Sequence, residues 1–151
     1  MTRILVGYDG SEAARAAAKF AANLARRLSD AMTLAYVVPP IPAEALSPVL
    51  DANQAAREHF AYAEQLLNNA AAELGSGVEI TTQVLGGHPA AALEELARDH
   101  DVELVAVGSH GLNPVERALL GSTASRLVRT CRKPVVVIPA AAWRAAGPPS
   151  P

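Results

Sequence analysis

The sequence carries one cysteine, Cys131, in 151 residues. A disulfide framework is therefore excluded, and so is a zinc site built on several thiolates. Lysine is nearly absent: Lys19 and Lys133 are the only two. Charge of one sign is missing as well. Thirteen basic residues against fifteen acidic ones leave −2, so bulk charge does not drive nucleic-acid binding. No apolar run approaches the length of a membrane span. The first one, Ile4-Leu5-Val6, is too short for the core of a signal peptide, and no small-residue cleavage site follows it. A cytoplasmic location is expected, with no membrane or nucleic-acid partner.

What is present is a folding chain. Half of the residues are hydrophobic, which argues against disorder. A chain of this length buries roughly two thirds of its unfolded surface, enough for a core without cross-links. One domain is expected.

Short apolar runs alternate with helical patterns. Ile4-Leu5-Val6 reads as a buried strand that ends at the turn Gly7-Tyr8-Asp9-Gly10-Ser11. Ser11 is a natural N-cap for a first helix reaching about Leu28, with Ala17, Phe20, Ala21, Leu24 and Leu28 on its apolar stripe. Residues 32–38 form a second strand. Pro39, Pro40, Pro42 and Pro48 mark an irregular crossover. A second helix covers 51–74 and stops at Gly75. A third strand runs over 78–85, and Pro89 opens a third helix reaching about His100. Further elements are a strand at 102–107, a helix from Ser122 to about Cys131, and a last strand, Val135-Val136-Val137-Ile138. Continuous apolar strands alternating with helices predict an α/β fold: a doubly wound, five-stranded parallel sheet in the order 3-2-1-4-5, with helices on both faces. Ligands of such sheets bind where the order reverses, here between strands one and four.

The segment Gly108-Ser109-His110-Gly111 through Gly121-Ser122-Thr123 opens after a strand and closes at a helix start. Glycine allows close approach to its backbone. Free amides at a helix N-terminus make an anion site, and the hydroxyls of Ser122 and Thr123 add donors. The residues alone fit phosphate binding, and they equally fit a plain connection in which Ser122 is an N-cap.

The spacing Gly108, Gly111, Gly121-Ser122 resembles the nucleotide-binding signature of universal stress proteins. The opening Ile4 to Ser11, the block Val105 to Gly111, and Lys133 to Ile138 are similar to three further blocks of that family in the same order. The resemblance spans nearly the whole chain, so 1–139 reads as one such domain and 140–151 as a flexible tail. It implies the ATP-binding branch, with ATP and magnesium as ligand. Asp9 would contact the adenosine part, and Val37 would meet the adenine through its backbone. Val107 would line the pocket. Gly108, Gly111 and Gly121 would admit ribose and phosphates, with Ser122 and Thr123 at the phosphate tail. The resemblance also implies a homodimer through residues 135–138, whose pairing would cover an apolar edge. The function expected is nucleotide-dependent regulation in the stress response.

Rival readings stand beside this one. Asp9 also suits a turn that satisfies its own backbone. Ser109-His110 suggests a nucleophile and base, but neighbours in sequence usually point apart, and no Gly-x-Ser-x-Gly elbow is present. His59, His88 and His100 lack metal-ligand spacing. Arg117 could swing towards phosphates. Arg126, Arg129, Arg132 and Lys133 suit a solvated face near a helix C-terminus. Cys131 shares a stripe with Ala124, Leu127 and Val128 and reads as a buried thiol. No Walker-type or dinucleotide glycine fingerprint occurs, and the phosphate loop has no lysine. This favours binding over rapid phosphoryl transfer. The alternatives are a slow ATP hydrolase, a structural dimer without nucleotide, and a binder of AMP or a cyclic nucleotide.

Overall fold

The computed structural model describes residues 1–45, 51–112 and 119–145. Strands and helices alternate: β1 (Arg3–Gly7), α1 (Glu12–Leu28), β2 (Ala31–Val38), α2 (Ala52–Leu74), β3 (Ile80–Gly86), α3 (Pro89–Leu96), β4 (Val102–Gly108), α4 (Ser122–Thr130), β5 (Val135–Ile138) and α5 (Ala140–Ala145). A single 3-10 turn, Ala43–Ala45, precedes α2. The five strands form one sheet in the order β3-β2-β1-β4-β5, and every neighbouring pair is parallel. This is the topology read from the sequence.

The two-residue period of a strand divides the core. Ile4 and Val6 of β1 face one side and pack with Ala21 of α1 and Leu67 of α2. Leu5 faces the other side and packs with Leu93 of α3 and Leu127 of α4. Both faces of the central strands are thereby covered, which explains their largely apolar sequences.

α1 lies on the sheet through its alanines. Ser11 caps it, its Oγ accepting the Ala14 N–H at 3.2 Å. Ala13, Ala14, Ala16, Ala17, Ala18, Ala21, Ala22 and Ala25 are all buried. Phe20 and Leu28, expected on the buried stripe, are 38% and 56% exposed. The physical reason is position: Leu28 is the last residue of the helix, past an alanine face whose buried residues end at Ala25, and Phe20 lies at the margin of that face.

Two boundaries also differ from expectation. β3 begins at Ile80, not Val78. α3 ends at Leu96, short of His100. There the amides of Arg98 and Asp99 bond back three residues, to Glu95 and Leu96. This tighter winding ends the helix and turns the chain into β4. Residues 140–145, expected to begin a flexible tail, form α5, in which the Trp143 ring lies 5.7 Å from Lys19 Nζ of α1.

Ala17, with no exposed surface, tests the close packing of α1. Ala17→Leu should destabilise the fold by about 1–3 kcal/mol through overpacking. Leu28→Ala, at a half-exposed position, should change stability by less than ~1 kcal/mol. Urea denaturation of both variants measures the difference. Equal losses would contradict the alanine interface.

Candidate functional site

β1 and β4 are neighbours, with Val6 in register with Ala106. Past their carboxyl ends the chain departs in opposite directions, into α1 on one face and towards α4 on the other. A cavity of about 550 Å³ opens there, a size suited to a small ligand. Asp9, Val37, Val107, Gly108, Gly111, Gly121, Ser122 and Thr123, singled out from three distant stretches of sequence, all lie on its wall. Pro89 and Leu93 of α3 line it too, as does Tyr36 of β2. Nothing local in the sequence marked these three. Pro89 and Leu93 arrive because α3 packs against β2, and Tyr36 because it stands next to Val37 in that strand.

α4 supplies the electrostatics. Its N-cap is Gly121, not Ser122, and no side chain bonds into this cap. The first backbone bond of the helix runs from Ser125 N–H to Gly121 C=O at 2.9 Å. The amides of Ser122, Thr123 and Ala124 precede that bond, so the helix itself offers them no acceptor. All three residues line the cavity. The positive end of the helix dipole therefore meets the cavity without an internal anion. α1 is different, because Ser11 Oγ accepts one of its leading amides, that of Ala14.

The three signature glycines have a reason of their own. None adopts a positive φ, so the demand on them is one of space, and it is strictest at Gly108. A Cβ on Gly108 would sit 2.6 Å from Ala13 Cβ and 2.8 Å from Ala14 N. The first turn of α1 already occupies that volume. A Cβ on Gly111 would lie 2.9 Å from Asp9 Oδ2, and one on Gly121 would lie 3.2 Å from Ser109 O. The expectation that these positions admit ribose and phosphates thus has a prior structural demand beside it. The glycines let the β4 loop press onto α1, onto Asp9 and onto itself. The Gly121 N–H also donates to Ser109 C=O at 2.7 Å, which ties the two ends of the loop together.

Asp9 divides its carboxylate. Oδ1 accepts the Ser11 N–H at 2.9 Å, as the turn reading required. Oδ2 stands beside Gly111 in the cavity wall. Both readings of this residue are thus compatible. Tyr8 and Tyr36 flank it. Burial raises the pKa of the Tyr8 hydroxyl, with Arg15 partly opposing. Burial also raises that of Tyr36, reinforced by the nearby Tyr62 and Asp9. Both are neutral hydroxyls at physiological pH, and Tyr36 is bonded to His59 Nε2 of α2 at 3.2 Å.

Ser109 and His110 do not point apart. Ser109 Oγ and His110 Nδ1 are 3.0 Å from one another. Ser109 is buried and is absent from the cavity wall, whereas His110 is part of it. A nucleophilic serine is therefore misplaced here. Arg117 lies outside the described residues. Elsewhere the basic cluster is held by the fold: Arg126 pairs with Glu94 at 3.5 Å, and Lys133 Nζ donates to Val102 C=O at 2.5 Å. Cys131 is only partly buried against the second core, and Val128 is 53% exposed. Among the described residues no group of three His, Cys, Asp or Glu side chains could hold a metal ion.

The family model of the universal stress protein family matches residues 1–139. The chain belongs to the universal stress protein family. It is 31% identical over 141 residues to a universal stress protein of Methanocaldococcus jannaschii, covering 90% of this chain and 81% of that relative. A Mycobacterium tuberculosis relative is 34% identical over 152 residues, and there the chain spans 47% of the relative's length. Among solved structures, a universal stress protein of Lactobacillus plantarum superposes with a TM-score of 0.79 at 30% identity, over 91% of this chain and 97% of that one. More distant members share the fold: one solved in complex with cAMP (TM-score 0.66, 24% identity) and one from Archaeoglobus fulgidus in complex with dAMP (TM-score 0.59, 21% identity).

For this universal stress protein, Gly108→Ala should lower the stability of the nucleotide-free fold by about 1–3 kcal/mol, because the methyl group meets backbone of α1. Chemical denaturation of stripped protein checks this. Unchanged stability would mean that Gly108 serves a ligand alone.

Proposed function

We propose that the chain binds an adenine nucleotide in the cavity over β1 and β4, with ATP and magnesium as the working ligand, and that occupancy regulates a partner in the stress response. The observation that carries this reading is the α4 N-terminus, which no side chain caps and which opens on a cavity of ligand size. In this reading the amides of Ser122 to Ala124, with the Ser122 and Thr123 hydroxyls, take the phosphates. Asp9 and the Val37 backbone take the adenosine part, and Val107 packs on it. A carboxylate is repelled by phosphate, so Asp9 belongs at the sugar end. The nucleotide complexes of distant family members support an adenine ligand.

Binding is favoured over turnover. No lysine or arginine is among the described residues of the cavity wall. Phosphoryl transfer relies on such charges or on a metal to neutralise the transferring group. A monophosphate also fits, because base and sugar contacts do not require a triphosphate.

Homodimerisation and a cytoplasmic location complete the proposal. β5 is an edge strand whose four residues, Val135 to Ile138, are each only partly buried in the single chain. A second copy paired along it would cover that apolar edge. No helix among the described residues is long and apolar enough to cross a membrane.

The test is a thermal-shift titration of nucleotide-stripped protein with ATP, ADP, AMP, cyclic AMP and GTP, each with and without magnesium. Ligand at 100-fold excess over its Kd should stabilise the fold by about 2.7 kcal/mol. The informative variant is Ser122→Glu. A carboxylate in the first turn of α4 should leave the empty fold as stable or stabilise it by about 0.3–1 kcal/mol, yet abolish the response to phosphorylated ligands. Gly121→Val is a poorer choice, because its side chain would press on Ser109 and His110. No shift with any nucleotide would refute nucleotide binding.

A further inference from the structure

His110 Nε2 is a buried side-chain polar atom that has no hydrogen-bond partner among the described residues. The rest of the residue is held. Nδ1 is 3.0 Å from Ser109 Oγ, the carbonyl oxygen is 3.5 Å from Ser11 Oγ, and a Cβ on Gly121 would meet the His110 Cα at 3.3 Å. A buried imidazole nitrogen left unpaired is costly, and such an atom calls for a partner. His110 belongs to the cavity wall, so the ligand is the partner that its position offers.

The neighbours say which part of the ligand. Gly111, the next residue, stands against the Asp9 carboxylate, at the sugar end of the proposed site. Gly121, on the other side, is the cap of α4 at the phosphate end. His110 lies at the junction of the two. A serine hydroxyl can donate or accept. When Ser109 Oγ–H donates to Nδ1, the ring proton sits on Nε2, which becomes a donor. We infer that His110 is a phosphate-recognising residue, its Nε2–H pairing with an oxygen of the first phosphate of the bound nucleotide while Ser109 fixes the tautomer. This rests on the nucleotide reading of the cavity and adds a contact to it. Nε2 is buried in this structure, so the pairing requires the His110 ring to shift towards the cavity.

Two substitutions separate the ring nitrogens. His110→Asn keeps a polar atom near Nδ1, able to bond Ser109, and has nothing at Nε2. His110→Gln reaches the Nε2 position. Calorimetric titrations with AMP and with adenosine, on wild type and both variants, read the phosphate contribution as the ratio of the two affinities. His110→Asn should weaken AMP roughly tenfold or more, the scale of a lost hydrogen bond to a charged group, and leave adenosine within about twofold. His110→Gln should restore much of the ratio. Nitrogen-15 spectra of the wild-type imidazole add a readout that needs no variant to fold: AMP should move the Nε2 resonance, and adenosine should not. An unchanged AMP-to-adenosine ratio in His110→Asn would overturn the inference and leave the nucleotide site standing. Equal weakening of both ligands would also overturn it, by showing that His110 only shapes the loop. Wild-type protein that binds neither AMP nor ATP would refute the nucleotide reading itself.

Discussion

The closest backbone approach bearing on the site is between the end of β4 and the first turn of α1, where a Cβ on Gly108 would fall within 2.6–2.8 Å of Ala13 and Ala14. Two strands of a parallel sheet send their chains to opposite faces at this point. The crevice between them is narrow only if the departing helix hugs the neighbouring strand. Glycine at 108 permits that, and the alanine face of α1 continues the same tight contact along the sheet. Asp9 then lies beside Gly111, and Gly121 closes the loop onto Ser109. The cavity is what remains once these contacts are made. Its shape is a consequence of small residues that permit close packing.

The topology was legible because the central strands are largely apolar runs alternating with helices, a pattern that two-sided burial explains. The meeting of Asp9 with the loop that starts at Gly108 was legible for a different reason, whereas Val37 and Val107 were implied only by the family resemblance. Loops that follow adjacent strands of a known order must converge, so Asp9 and the segment from Gly108 to Thr123 had to share one end of the sheet. Contacts set by helix packing were not legible. Phe20 and Leu28 fit a helical stripe as well as any alanine does, and only where the alanine face meets the sheet and where the helix ends leave them exposed. Pro89 and Leu93 enter the cavity through the packing of α3, which no motif encodes. The cap of α4 fell one residue before the hydroxyl that looked like a cap. That single step decides whether the helix end is satisfied internally or left for a ligand.

The Ser109–His110 pair shows how a sound generality fails locally. Alternation holds while the backbone is extended, and at residue 109 the chain leaves β4. The Ser109 carbonyl is held by Gly121 and its N–H by Ile138. With the backbone pinned on both sides, the two side chains turn to one another. A hydrogen bond that resembles part of a catalytic pair is then a product of loop closure, and the buried serine beside it has no access to the cavity.

The charge pattern of the site constrains what it can do with a nucleotide. Asp9 is the charged carboxylate on the described wall, and the favourable terms for phosphate are the α4 amides and dipole, which are neutral. Within the loop, Glu116 and Arg117 are adjacent in sequence and their formal charges cancel. Each further phosphate on the ligand therefore adds negative charge with no added protein cation among the described residues. In the proposed nucleotide site, fixed dipoles would match the base, the sugar and the first phosphate, whereas second and third phosphates would need a metal ion carried with them. On the proposed reading, such a site would hold a nucleotide by geometry at its adenosine end, and a cation carried with the ligand would set the preference for phosphate number. That division would suit the proposed role, in which occupancy is the output: the described wall has groups to position a ligand and no lysine or arginine to act on its terminal phosphate.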